Sequence, residues 1–466
     1  MRGKTMKINK IILFLAGFTF CGASEYFMYD ARGVLLKKIE SNDLKNDLSF
    51  LKTKTPILIQ KKSNKQKVGS FSEYSIMFNM NRDSVWIESE KNEVLKLCFE
   101  NSRIISIETA LPSEILNNSC VSLRSPSNNT VAKLIINDHL NNTKYVNIAV
   151  GMKHFVFQNE NVKLGFNGGG YSLKNKSFDD SENNRVYPDP EKLVKLNAEY
   201  LVDKYSITNC EFLQYMGNEM NLKDSFENEQ KNNIVKMWNS RINRLNETKC
   251  ETNDSAANVV YLYQALVYAN QRSLAEDLEP YYIFEKTDAK QSLLYPDSSF
   301  TVVNSEKKEL GDHWIKVSVN PKSNGYRLPY YDEWMFLARG GLTDGQAVWG
   351  DSSKNLSDAL AYAWFGDSTS YKMHRSKPVG LLNPNGYELY DVFGLVNEFV
   401  LFPGKNPFES LHNTPSCLKG GDFRTRLHHS YNEIYIEPYW KWVNYGYSKI
   451  NYGSSIGGVR LVRKLK

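Results

Sequence analysis

The residues whose types could carry chemistry gather near the C-terminal end of the chain. His428, His429, Glu433 and Glu437 lie within ten positions. On a strand, His429, Glu433 and Glu437 share one face; on a helix, His429 and Glu433 stand one turn apart, as two ligands of a metal would. No third ligand is evident, and a solvated polar face is the plainer reading. The next stretch is crowded with rings: Tyr435, Tyr439, Trp440, Trp442, Tyr445, Tyr447 and Tyr452. Tyr and Trp offer rigid, amphipathic area that suits protein interfaces and sugar faces. With His428 and His429 these rings form a candidate ligand groove, against the competing reading of core packing around irregular loops.

Charged residues further upstream read differently. Asn324 to Gly341, NGYRLPYYDEWMFLARGG, has a turn pair, a short extended run closed by Pro329, and a helix from about Tyr331. Asp332 and Glu333 fall in its first turn, where negative charge suits the N-terminal end. Trp334, Leu337 and Ala338 recur at helical spacing, and Gly340-Gly341 supplies the stop. Arg327 and Glu333 are therefore expected to form a buried ion pair tying strand to helix, not a catalytic pair. Thr208 and Glu211 have capping-box spacing at the start of another helix. Val259 to Tyr263 reads as a strand, and Gln264 to Ser273 as a helix with Arg272 one turn from Tyr268. Asp391 reads as a turn-fixing acceptor.

Several of these stretches carry a family resemblance. Arg327-Leu328-Pro329, Glu333-Trp334 and Ala338-Arg339-Gly340-Gly341 resemble the signature of the formylglycine-generating enzyme, or sulfatase-modifying factor, family. Tyr205 to Asn209, Tyr268-Ala269-Asn270 and Leu278-Glu279-Pro280-Tyr281 are similar to further motifs of that family. So are Asn385-Gly386-Tyr387-Glu388-Leu389-Tyr390-Asp391, Gly420-Gly421 and Gly457-Gly458-Val459-Arg460. The resemblance implies an α+β fold, a loop-rich variant of the C-type lectin fold, over residues 145–466. It makes Arg327, Glu333, Trp334, Asn385, Asp391, Gly420, Gly421 and Arg460 its structural frame. The departures bear on activity: Leu395 stands where the family has Asn, Asn397 and Phe399 where it has Trp, Gln264 where it has Asp and Tyr281 where it has Cys.

The resemblance also implies a copper(I) oxidase with a cysteine pair between the last two glycine motifs. Copper(I) selects soft sulfur ligands. This chain has no cysteine between Gly421 and Gly457, and Cys417 stands alone before the glycine pair. Copper is therefore not expected. A calcium site of the family's kind would draw on the carbonyls of Gly394 and Val396 and on Glu398, with Leu395 removing one oxygen; calcium wants about six to eight. The reading that results is an exported binding or scaffold module. The alternatives are an oxidoreductase acting on a protein cysteine and a structural component of a secretion or surface assembly.

The rest of the 466 residues sets the context. Net charge is +6, but Arg2, Lys4, Lys7 and Lys10 contribute four of those charges, and removing the leading segment leaves about +2. Nothing in that balance supports a nucleic-acid partner. Residues 1–23 read as an export signal: a basic start, an apolar run from Ile11 to Phe20, then Gly22-Ala23-Ser24. Cleavage near Ala23 competes with lipid attachment at Cys21, where Phe20 occupies a position that wants a small residue. A membrane contact is expected only through such an anchor, and an envelope protein or polysaccharide is the expected partner. Residues 25–140 read as short strands in a small β-sandwich-like accessory domain. Residues 125–145 read as its last strand plus a linker, with the second domain opening at Val146. Cys98 and Cys120 are placed to bridge within the first domain.

Overall fold

The computed structural model describes residues 25–30, 35–40, 57–62, 71–78, 84–100, 102–164, 192–216, 254–257, 262–287, 314–341, 360–364, 377–401, 416–422, 428–430, 433–435 and 457–465. The chain divides into two units, Met1–Val156 and Phe157–Lys466.

The first unit is built from strands. They are β1 (Glu25–Asp30), β2 (Leu35–Glu40), β3 (Ile57–Lys62), β4 (Phe71–Met77), β5 (Ser84–Ser89), β6 (Val94–Glu100), β7 (Ile104–Glu108), β8 (Ser113–Asn117), β9 (Cys120–Arg124), β10 (Thr130–Asp138) and β11 (Thr143–Val150). One sheet has the order β2-β1-β3-β4-β6-β9-β8 and the other β5-β11-β10-β7. Alternate residues of both sheets point into one core: Tyr74, Ile76, Leu95 and Leu97 from the first meet Val85, Ile87, Leu134, Ile136, Val146 and Ile148 from the second. Each such side chain contributes roughly 1.5–3 kcal/mol of burial, so the period-two pattern is what holds the sandwich. Cys98 and Cys120 face each other across β6 and β9 and are joined by a disulfide. In the loop-entropy account a bridge closing this separation stabilises by about 3 kcal/mol.

The boundary differs from the sequence reading. Thr143 to Val150 does not open the second unit. β11 pairs antiparallel with β10 and parallel with β5, inside the first unit. The stretch taken as a linker is a tight turn: Asp138 Oδ1 accepts the N–H groups of Leu140 and Asn142, and Asn141 takes φ 59°. Asn and Asp make such turns by bonding their own backbone, which in sequence resembles a polar linker.

The second unit mixes short sheets with three described helices. Strand β12 (Met152–Leu164) crosses the boundary between the units and joins β13 (Lys192–Asp203). Helices α1 (Asn209–Met216) and α2 (Leu262–Ala275) follow, so Leu262 and Tyr263 begin a helix where the sequence suggested a strand. Strands β14 (Tyr282–Thr287) and β15 (Trp314–Val319) pair with each other, and β16 (Tyr326–Arg327) leads into α3 (Tyr331–Arg339). The remaining strands are β17 (Asn397–Leu401), β18 (Ser416–Lys419), β19 (His428–Ser430), β20 (Glu433–Tyr435), β21 (Gly457–Gly458) and β22 (Val462–Lys464). The sheets are ordered β12-β13-β22-β16 and β18-β17-β21. Among the described residues no helix is long and apolar enough to cross a membrane.

The capping box at Thr208 and the glycine stop at Gly340 expected from the sequence both form, and a second capping contact, at Tyr330, lies outside that expectation. Glu211 Oε2 accepts the N–H of Thr208 at 3.0 Å, and Thr208 Oγ1 accepts that of Glu211 at 3.3 Å. Glu333 Oε2 accepts the N–H of Tyr330 at 2.8 Å, and α3 ends at Gly340 with φ 61°. A Cβ at Gly340 would also come within 2.8 Å of Asn385 and the Gly386 nitrogen, so the stop must be glycine.

Candidate functional site

The second unit contains a frame of buried ion pairs. Its hub is Glu398 on β17, fully buried. The carboxylate accepts hydrogen bonds from Ser206 Oγ, from Trp334 Nε1 at 2.8 Å and from Arg460 Nε at 3.0 and 3.1 Å. Arg460, between β21 and β22, uses its remaining nitrogens on carbonyls: Nη1 donates to Asp203 at 2.7 Å and Nη2 to Tyr390 at 2.6 Å. One carboxylate thus fastens β17, α3, the end of β13 and the C-terminal strand together. Charge in such a place persists only because every lone pair and donor is matched.

Two more pairs extend the frame. Arg272 on α2 binds both oxygens of Asp203, at 2.8 and 3.0 Å, and Asp203 also accepts the N–H of Leu461 at 3.0 Å. The guanidinium lies 3.9 Å from the centre of the Tyr326 ring. Burial works against the charge on Arg272, and Asp203 together with Tyr326, Glu276 and Tyr268 more than offsets it. Arg327 grips Glu333 bidentately at 2.6 and 2.7 Å, under a Tyr281–Tyr330 pair whose hydroxyls are 2.7 Å apart. Burial alone would raise the Glu333 carboxyl, but Arg327 holds it below the usual carboxylate range. These carboxylates are committed to protein donors, which fits positioning and not acid–base work.

The sequence-predicted residues now have places. Arg327, Glu333, Trp334, Asp391 and Arg460 sit where a structural frame needs them. Asn385 donates to the Leu337 carbonyl at 2.7 Å and accepts from Tyr387 and Leu389, holding the end of α3. Gly420 (φ 89°) and Gly421 (φ 74°) turn the chain after β18, and a Cβ at Gly420 would meet the Val392 carbonyl at 2.5 Å. Asn397, standing where the resemblance puts Trp, donates to Asp422 at 3.0 Å. His428 pairs with Tyr435 across the β19–β20 hairpin, while His429 faces Ile434 and Glu433 faces Ser430. Among the described residues no group of three or more His, Cys, Asp or Glu could hold a metal ion. Tyr439, Trp440, Trp442, Tyr445, Tyr447 and Tyr452 lie outside the described residues, as does Glu437.

The calcium expectation does not fit the hub. Both oxygens of Glu398 are filled by Ser206, Trp334 and Arg460, and a dication there would sit against the guanidinium. Leu395, between the Gly394 and Val396 carbonyls, is fully buried with φ 57° and packs on Ala256.

Asp391 is the carboxyl with a functional-looking perturbation. Its Oδ2 accepts the N–H of Gly380 at 2.6 Å, while the buried Oδ1 has no hydrogen-bond partner among the described residues. Burial pushes its pKa up to about 6, against the pull of Gly380 and Arg460 and with the push of Glu398. A carboxyl that holds its proton more tightly when folded stabilises the fold below its unfolded pKa; that contribution is lost as pH rises through about 6. Asp391→Asn keeps the acceptor and removes the titration. Thermal unfolding of both proteins from about pH 4 to about pH 7 is expected to show wild type losing on the order of 2 kcal/mol relative to the variant.

Sequence reasoning missed Asp203, the partner of Arg272, and Ser206, a partner of Glu398. No local spacing links Asp203 to residue 272, or Ser206 to residue 398; the pairs exist only once β13 and the C-terminal strands are assembled.

Comparison with known proteins places the second unit. The family model described as the sulfatase-modifying factor enzyme 1-like domain matches residues 157–465. A curated relative, the chaperone protein LppX of Paenibacillus barcinonensis, is 31% identical over 171 residues, covering 34% of this chain and 55% of the relative. The chain thus spans about half the length of that curated relative. Among solved structures, Treponema denticola variable protein 1 matches with 19% identity and a TM-score of 0.39, covering 67% of this chain and 94% of that one. PvdO from Pseudomonas aeruginosa matches with 13% identity and a TM-score of 0.32, covering 67% of this chain and 94% of its own.

Proposed function

The chain belongs to the sulfatase-modifying factor enzyme 1-like family, and on that premise we propose that it uses the family's domain as a non-catalytic binding scaffold, exported to or beyond the cell envelope. The observation that carries this reading is a contrast. The ion-pair frame around Glu398, Arg460, Asp203 and Arg272 is present, yet the sequence from Gly421 to Gly457 contains no cysteine. Copper(I) needs a pair of soft sulfur ligands, and the lone Cys417 precedes the glycine pair. A rigid frame without a reactive group is suited to presenting a surface.

The ring-rich stretch from Tyr435 to Tyr452, with His428 and His429, is the surface we assign to the ligand, and the loop-rich lectin-like class belongs to the same reading. The ligand is an envelope protein or polysaccharide. The chaperone name of the Paenibacillus relative favours the protein over the polysaccharide. The leading basic and apolar segment supports export, with Cys21 as the place for an anchor if lipid is attached. Purified chain immobilised and exposed to solubilised envelope proteins and to envelope polysaccharide is expected to retain one of them. Substituting Tyr435, Trp440 and Trp442 by Ala is expected to abolish that retention. Retention of neither class, or retention untouched by the triple substitution, would remove the proposal.

A further inference from the structure

We propose that the outer edge of the first unit, where β7 and β8 lie open side by side, is a self-association surface whose partner is a second copy of this chain. β8 closes one end of the seven-stranded sheet and β7 one end of the four-stranded sheet. Among the described residues β8 pairs only with β9, and β7 only with β10. The N–H of Ile104 donates to the Asn118 carbonyl at 2.7 Å. The start of β7 therefore lies at the end of β8, and the two edges run antiparallel along one side of the sandwich.

Every residue of β8 is exposed. Ile105 is 61% exposed, Ile115 46% and Leu116 44%, an apolar strip beside two strand edges that carry no further strand among the described residues. Natural sheets usually blunt such an edge with charge or cover it.

The order of charges along the strip selects the occupant. Glu108 and Glu114 stand at one end, Arg103 at the other, and all three are exposed. A two-fold axis near Ile115 pairs β8 antiparallel with its copy. Glu114 of each copy then lies opposite Leu116 of the other, and no like charges meet. The acidic end of each copy meets the basic end of the other, with the aliphatic strip between them. Acid, apolar, base is self-complementary under that operation, as an isologous contact requires. The register shift between Ile115 and Asn117 twists the end of the strand. The paired stretch is short, and the contact belongs to the small, weak class.

Sedimentation equilibrium of the full chain over about two decades of concentration is expected to show a reversible monomer–dimer equilibrium. Arg103→Glu, which sets acid against acid, is expected to weaken the dimer at least about tenfold. The double variant Glu108→Arg, Glu114→Arg should weaken it likewise, and mixing the two variants should restore association as a heterodimer. Ile115→Lys should leave only monomer. These side chains are exposed, and circular dichroism checks that each variant keeps its sheets. A wild-type chain that stays monomeric throughout gives the edge to some other occupant and overturns the proposal. So does a dimer indifferent to Arg103→Glu and Ile115→Lys, or a charge-swapped mixture that does not associate.

Discussion

Replacing Arg460 by Ala is expected to cost the second unit about 3–5 kcal/mol, the range for removing one partner of a buried pair. The cause is what stays behind. Glu398 is fully buried, and Ser206 and Trp334 would be its remaining donors. The carbonyls of Asp203 and Tyr390 would also lose their donors. A domain stability of roughly 5–15 kcal/mol leaves little margin for such a loss. Glu398→Ala strands Arg460 instead and is expected to cost a similar amount. The double variant should cost clearly less than the two singles added, because each single leaves an unmatched charge that the double does not. Urea unfolding followed by tryptophan fluorescence checks this; additive losses would mean that the pair is not the fastening it is taken to be.

Arg272→Ala is expected to have the second of the largest effects, again about 3–5 kcal/mol. Asp203 and Arg272 are both 0% exposed. Without the guanidinium, Asp203 keeps only the Leu461 N–H as a direct donor to its carboxylate among the bonds described above. Burial already presses Asp203 toward its protonated form in wild type, and Arg272 pulls the other way, so on acidification the variant should recover more stability than wild type gains. Nη1 alone supplies both bonds to Asp203, so Arg272→Lys keeps the charge but loses the planar group over the Tyr326 ring, and an intermediate loss is expected. A Lys variant as stable as wild type would show that charge, and not the guanidinium plane, is what this position needs.

The parts of the fold legible in the sequence are those whose causes are local. The capping spacing of Thr208 and Glu211, the stop at Gly340 and the Arg327–Glu333 pair all lie within one or two turns of chain, and each is present in the structure. The sandwich was legible from short apolar runs, but strands such as β8, with every residue exposed, have no apolar–polar alternation to announce them. The end of the first unit was misplaced for a related reason: a turn closed by Asp138 looks polar, as a linker does. Glu398 was recognised as a notable acid and offered to calcium. Its actual partners, 62 to 192 residues away, are set by topology and not by spacing. The candidate groove stays a matter of composition, since of its rings only Tyr435 falls among the described residues.

The central claim is that the frame has been kept while the sulfur chemistry has not. Its most direct test is incubation of the purified chain with a cysteine-containing sulfatase peptide, copper, oxygen and a thiol reductant, with the peptide followed by mass spectrometry. The account predicts that the peptide cysteine is recovered unchanged, at the level of a no-enzyme control. Conversion to the aldehyde above that control, lost when Cys417 is replaced by Ser, would contradict it.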